Sequence, residues 1–192
     1  MQALIDRIHQ DASYLGKGIV KVDSFLNHQI DPALMQAIGV EFSRRFAEFG
    51  VSGITRIVTA EVSGIPPALV TAATLGVPVV YARKHRPATM SERFHVVEAP
   101  SRTKGNIVEL MISDEYLTAD DRVLLIDDFL ATGHTLNALI GLIRDSGATL
   151  CGVGCVIEKP VEGGRERLAY LDVPVITLAK VGWQDEKVQV SA

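Results

Sequence analysis

Asp127 and Asp128 close an aliphatic run, Val123-Leu124-Leu125-Ile126, and lead into Phe129-Leu130-Ala131-Thr132-Gly133-His134-Thr135. Two adjacent carboxylates can hold sugar hydroxyls or a hydrated divalent cation. The small-residue turn that follows presents a row of backbone N–H groups to an anion, above all where a helix begins. Carboxylates beside a phosphate cradle are chemistry suited to a phosphorylated sugar.

Such residues need a rigid support. The aliphatic run reads as a strand buried on both faces. Helical spacing begins near Thr135, with Leu136, Leu139, Ile140 and Ile143 inward and Gly147 as the stop. Ligands of open α/β sheets bind outside the carboxyl ends of the strands, so the two acids belong at the mouth of a crevice. The neighbouring segments alternate in the same way. A strand at 56–60 runs into Glu61-Val62-Ser63-Gly64, then Ala68, Leu69, Ala72 and Leu75 keep helical spacing, and 79–82 is a strand again. Beyond the motif, 149–158 reads as a strand, 165–171 as a short helix and 173–177 as a last strand. This order predicts an α/β fold with a central, mainly parallel sheet flanked by helices and right-handed crossovers.

The N-terminal part is smaller and mixed. Leu4, Ile5, Ile8 and Ala12 follow helical spacing, and 19–23 alternates like a short strand. Residues 23–30 break both periods and carry Ser24, Phe25, Asn27, His28 and Gln29, as an ordinary connection or as a ligand-contacting loop. Asp31-Pro32 is a helix start, an N-cap acid with proline at the first helical position. Leu34, Met35, Ile38, Phe42, Phe46 and Phe49 continue that helix inward until Gly50. Residues 83–104 concentrate Arg83, Lys84, His85, Arg86, Arg93, Arg102 and Lys104. That basic stretch reads either as a solvated loop or as a flap over an anionic ligand, with 94–98 and 106–112 pairing as a hairpin. The tail at 182–187 shows no pattern.

Bulk properties narrow the field. The 192 residues carry a net charge of -4 with no Lys/Arg run, which argues against a nucleic-acid partner. The first residues carry charges and no apolar core of a signal peptide, and no stretch has the length of a membrane span. Cys151 and Cys155 are spaced for one face of a strand and read as small buried apolar residues in a reducing compartment. The expectation is one cytoplasmic domain over 1–192. Walker, dinucleotide-fingerprint and nucleophile-elbow motifs are all missing.

The stretch 123–135 resembles the phosphoribosyl-pyrophosphate (PRPP) motif of type I phosphoribosyltransferases. Segments 20–32, 61–65, 75–84 and 156–159 resemble, in order, the bacterial xanthine phosphoribosyltransferases of that family. The resemblance implies the type I fold, with a small N-terminal hood mainly over 1–35 and C-terminal contributions, and a mobile flap at about 85–106. It implies transfer of the phosphoribosyl group from PRPP to N9 of xanthine, giving XMP and pyrophosphate, with Mg²⁺ as cofactor. Asp127 and Asp128 would be the catalytic acids, touching the metal indirectly through ribose or water. Ala131, Thr132, Gly133, His134 and Thr135 would hold the 5-phosphate, and Glu61, Ser63 and Gly64 the pyrophosphate. Arg83 and Lys84 would reach the pyrophosphate of a neighbouring subunit, hence a homodimer. Val20, Asn27 and Lys159 match the positions that hold the base.

Two departures accompany the resemblance. Ala131 stands where hypoxanthine–guanine enzymes have aspartate, leaving no obvious general base. Thr132-Gly133-His134-Thr135 replaces the Asn-Gly-Gln-Ala common among xanthine enzymes, and His134 reads as solvent-facing. Guanine, hypoxanthine or adenine as acceptor, and a non-catalytic PRPP-sensing regulator, remain the alternatives.

Overall fold

The computed structural model describes residues 1–100 and 107–192. The chain opens with α1 (Gln2–Asp11), two short strands, β1 (Ser13–Tyr14) and β2 (Val20–Lys21), and a π-helical turn over Asp23–Asn27. There follow α2 (Pro32–Glu48), β3 (Arg56–Ala60), α3 (Ile65–Leu75) and β4 (Val79–Ala82). Next come β5 (Phe94–Pro100), β6 (Ile107–Ser113), β7 (Arg122–Leu130), α4 (His134–Asp145) and β8 (Thr149–Glu158). The chain then passes through α5 (Gly164–Arg167), β9 (Val175–Gln184) and β10 (Lys187–Ser191).

The central sheet has the order β10-β9-β8-β7-β3-β4. All of its neighbours run parallel except β10, which pairs antiparallel with β9. Alternate residues of β7 divide between two cores, as a strand buried on both faces requires. Leu124 and Ile126 join Phe25, Ile38, Phe42 and Phe46 under α1, α2 and α3. Val123 and Leu125 join Leu139, Ile140, Leu110 and Ile112 under α4 and the β5–β6 hairpin. The sheet is therefore clamped between helices, and its strand ends are held rigidly.

Local chemistry accounts for the element ends. The Asp31 carboxylate accepts from the N–H groups of Ala33 and Leu34 at 3.0 and 3.1 Å, capping α2 as its Asp-Pro start predicts. The β5–β6 hairpin forms with Phe94 opposite Ser113 and is rooted in the core through Ala99, Leu110 and Ile112. The expected flap residues Arg102 and Lys104, and Asn106 at the start of its second strand, lie outside the described residues.

Several expectations are corrected. Phe49 follows the end of α2 and is exposed, so the apolar stripe of that helix stops at Phe46. Cys151 is an extra residue opposite the Val123–Leu124 step, a bulge that shifts the alternation of β8. It packs into the first core while Cys155 packs into the second, on opposite faces of the sheet. The helix expected over 165–171 is the single turn of α5. The last strand reaches Gln184 and turns back into β10 through Asp185 and Glu186, both at positive φ. Among the described residues, no helix is long and apolar enough to cross a membrane.

Candidate active site

β3 and β7 lie side by side, and the loops leaving their carboxyl ends enclose a cavity of about 750 Å³. Its walls bring together Glu61, Ser63, Lys84, Asp127, Asp128 and the whole 131–135 turn. Residues drawn from three separate stretches of sequence thus meet at one sheet end.

The acids are fixed by the backbone that follows them. Oδ1 of Asp127 accepts from the N–H of Asp128, and Oδ1 of Asp128 accepts from the N–H of Phe129, each at 2.9 Å. Asp127 is 7% exposed, whereas Asp128 is half-buried at the cavity wall. Burial, then the neighbouring charge of Asp128, pushes the Asp127 carboxyl well above the usual carboxylate range. Such a group favours a partner that brings positive charge or hydrogen-bond donors.

The phosphate turn is shaped by glycine. Gly133 adopts φ 77°, a left-handed conformation that side chains resist, and α4 starts at the next residue. The first N–H groups of α4 have no partner within the helix, and their residues line the cavity. Arg167 Nε donates to the Thr132 carbonyl at 2.8 Å, holding the turn from behind. Gly164 packs so tightly on the Ala131 carbonyl that a Cβ there would overlap it. His134 is half-buried and lines the cavity, so it is less open to solvent than its sequence position suggests.

On the opposite wall, the Glu61 carboxylate accepts from the N–H of Lys84 at 2.7 Å, which ties the loop after β3 to the end of β4. The Glu61–Val62 peptide is cis. Gly64 caps α3 beneath Asp127, where a Cβ would overlap both Oδ1 of that aspartate and Oγ1 of Thr59.

The remaining sequence candidates lie outside this cavity. Arg83 exchanges backbone hydrogen bonds with Met111, places its guanidinium 5.7 Å from the Tyr81 ring centre and lines a neighbouring depression. Val20 is buried in the first core, and Asn27 is exposed at the end of the π-helical turn. Lys159 is buried. Its ammonium donates to the Gly18 carbonyl at 2.8 Å and sits 5.1 Å from the Phe129 ring centre. Since Phe129 itself lines the cavity, Lys159 stands one aromatic ring behind the wall.

Phe129, Thr59 and Arg167 were not singled out from sequence. Phe129 had a signal, an aromatic directly after the acid pair at a strand end. Thr59 reads as one more strand residue, and Arg167 reaches the turn only through the fold.

Among the described residues, no group of three or more His, Cys, Asp or Glu side chains forms a metal cage. The Asp127–Asp128 pair still suits Mg²⁺, which binds through one or two carboxylates together with substrate phosphates and retained waters.

Comparison with known proteins shows the family. Residues 30–191 match the phosphoribosyl transferase domain family. The chain is 54% identical to a xanthine phosphoribosyltransferase of Deinococcus deserti, over 97% of this chain and 95% of that protein. It is 49% identical to a xanthine phosphoribosyltransferase of Pseudomonas entomophila, over 94% of each chain. Among solved structures, adenine phosphoribosyltransferase from Trypanosoma brucei, in complex with AMP, pyrophosphate and ribose-5-phosphate, superposes with a TM-score of 0.75. That match covers 92% of this chain and 79% of the other at 21% identity, a likeness of fold. The Giardia lamblia enzyme with 9-deazaadenine gives 0.74 over 94% and 98%, at 24% identity.

Proposed function

The chain belongs to the phosphoribosyltransferase family, and from that premise we propose that it transfers the phosphoribosyl group of PRPP to N9 of xanthine, yielding XMP and pyrophosphate. One observation carries the reading: the acid pair, the 131–135 turn and the loop after β3 share a single cavity. These groups suit a ligand that carries a phosphate, a ribose and a diphosphate.

In this reading the 131–135 turn binds the 5-phosphate through the backbone N–H groups at the start of α4 and the hydroxyls of Thr132 and Thr135. Asp127 and Asp128 grip the ribose hydroxyls. As the bond to pyrophosphate lengthens, positive charge grows on the ribose ring, and the two carboxylates stabilise it electrostatically. Glu61, Ser63 and Gly64 receive the pyrophosphate, with small residues allowing close backbone approach. Lys84 lines this chain's own cavity and so would serve the same anion here, not the partner's as its sequence position suggests. Asp127 and Asp128 would hold Mg²⁺ indirectly, through ribose or water, and the metal when bound would supply neutralisation of the departing charge.

The base belongs beside Phe129. The identity to xanthine enzymes supports this acceptor, as does Lys159 behind the ring, a cation for a purine oxygen. Val20 would form an apolar wall, and Asn27 would close over the base edge from the hood, residues 1–35. The flap at 85–106 would exclude water that otherwise hydrolyses PRPP. Exposed Val40, Leu69 and Leu75 on α2 and α3 support a homodimer, in which Arg83 serves the partner's site. We place the reaction in the cytoplasm, with small molecules and a second copy of this chain as the only partners.

The test is pyrophosphate release from PRPP and Mg²⁺, with each purine in turn and with no base. Release that requires xanthine is expected. Silence with every base would reject phosphoribosyl transfer, and release equal with and without base would mean hydrolysis.

A further inference from the structure

Thr59, one residue before the end of β3, is fully buried, and its hydroxyl has no hydrogen-bond partner among the described residues. A buried hydroxyl with no partner opposes folding, whereas valine has nearly the same shape and no such cost. Packing alone therefore gives no reason for a hydroxyl here. Its surroundings do. Oγ1 of Thr59 and Oδ1 of Asp127 crowd the same spot, the one that a Cβ of Gly64 would fill. That same Oδ1 accepts the Asp128 N–H and so sets the carboxylate plane.

We propose that Thr59 is a positioning residue for the transfer reaction: its hydroxyl turns to donate to Oδ1 of Asp127 and holds the carboxylate toward the ribose. Lone pairs on Oδ1 remain for a second donor, and a small side-chain rotation of Thr59 supplies one. Gly64 is part of the same device, since its bare Cα leaves the two oxygens room to meet. The hydroxyl acts through Asp127 and touches neither substrate. This role deepens the transfer reading and rests on it.

Two substitutions separate positioning from packing. Thr59→Val keeps the shape and removes the donor, whereas Thr59→Ser keeps the donor and removes a methyl group. The expected result for Thr59→Val is kcat lowered about tenfold or more, KM for PRPP within about twofold, and a melting temperature equal to or above wild type. Thr59→Ser should retain kcat within about twofold while melting lower, as a cavity of methyl size requires. The opposite pattern, an active valine variant and a crippled serine variant, would overturn the proposal. So would failure of Thr59→Val to fold, because the hydroxyl would then be holding the structure. An inactive wild type would reject the transfer reading and this inference together; an active wild type matched by Thr59→Val would reject the role of Thr59 alone.

Discussion

The Lys159 ammonium, at the carboxyl end of β8, donates at 2.8 Å to the carbonyl of Gly18, a residue 141 positions earlier in the chain. This hydrogen bond thereby fastens the N-terminal segment around Gly18 to the sheet end. The same cation faces Phe129, which separates it from the cavity. In the proposed reaction, recognition of the base through Phe129 and attachment of the N-terminal segment would both fall to this one side chain.

Lys159→Ala should lose both. A charged, buried hydrogen bond contributes about 1.5–3 kcal/mol, so chemical denaturation should register a loss of that order. KM for xanthine should rise about tenfold or more, while KM for PRPP stays near wild type. Equal weakening of both substrates would place Lys159 in general scaffolding.

Gly64→Ala tests the packing under the acid pair. The added methyl would overlap Asp127 and Thr59, so the loop or the carboxylate must move. Displacements near 1 Å at a reacting centre cost about 100-fold in rate. We expect kcat to fall by about that factor in a variant that remains folded by circular dichroism. Unchanged kcat would mean that the loop relaxes without moving Asp127.

Asp127→Asn separates activity from stability. Burial and the charge of Asp128 hold the Asp127 carboxyl well up, so keeping it ionised near neutral pH opposes folding. The cost is absent below the ordinary aspartate range and appears as pH rises through the folded-state value. Asparagine preserves the oxygen that accepts from Asp128 and removes the charge. At pH 7.5 the variant should melt no lower than wild type, yet turn over at least about 100-fold more slowly. A parallel loss of melting temperature and activity would make Asp127 a structural residue.

These relationships were only partly legible in the sequence. The acid pair, the phosphate turn and the strands that carry them announce themselves because buried parallel strands are uniformly aliphatic and their loops are not. The N-cap of α2 was equally plain, since Asp31-Pro32 is a local signal. Long-range facts were not. Lys159 looks like any charged residue after a strand, and its burial depends on Gly18 arriving from the other end of the chain. The bulge at Cys151 is set by pairing with β7, which no local pattern reports. The β9–β10 turn uses Asp185-Glu186 at positive φ, without the glycine or asparagine that usually marks such a hairpin.

Glu41 on α2 gives an acid-side test of the scaffold. Hydrogen bonds from Arg44, with one from Arg45, outweigh burial and bring its carboxyl down to about 2. A depressed carboxylate stabilises the fold above its unfolded value, and the contribution is lost as pH falls through the folded one. Arg44 is exposed, so solvent screening limits the gain to on the order of 1 kcal/mol. Glu41→Gln should therefore melt about 2–4 °C below wild type at pH 6. The gap should narrow below about pH 4.5 and close near pH 2. A gap independent of pH would attribute the effect to packing.

The acceptor is decided by a competition among purines. Wild-type protein, PRPP and Mg²⁺ are mixed with equal concentrations of xanthine, guanine, hypoxanthine and adenine, and the nucleotides formed are separated and identified by mass. XMP should dominate the products. A mixture led by GMP, IMP or AMP, or one with no nucleotide at all, would contradict the account.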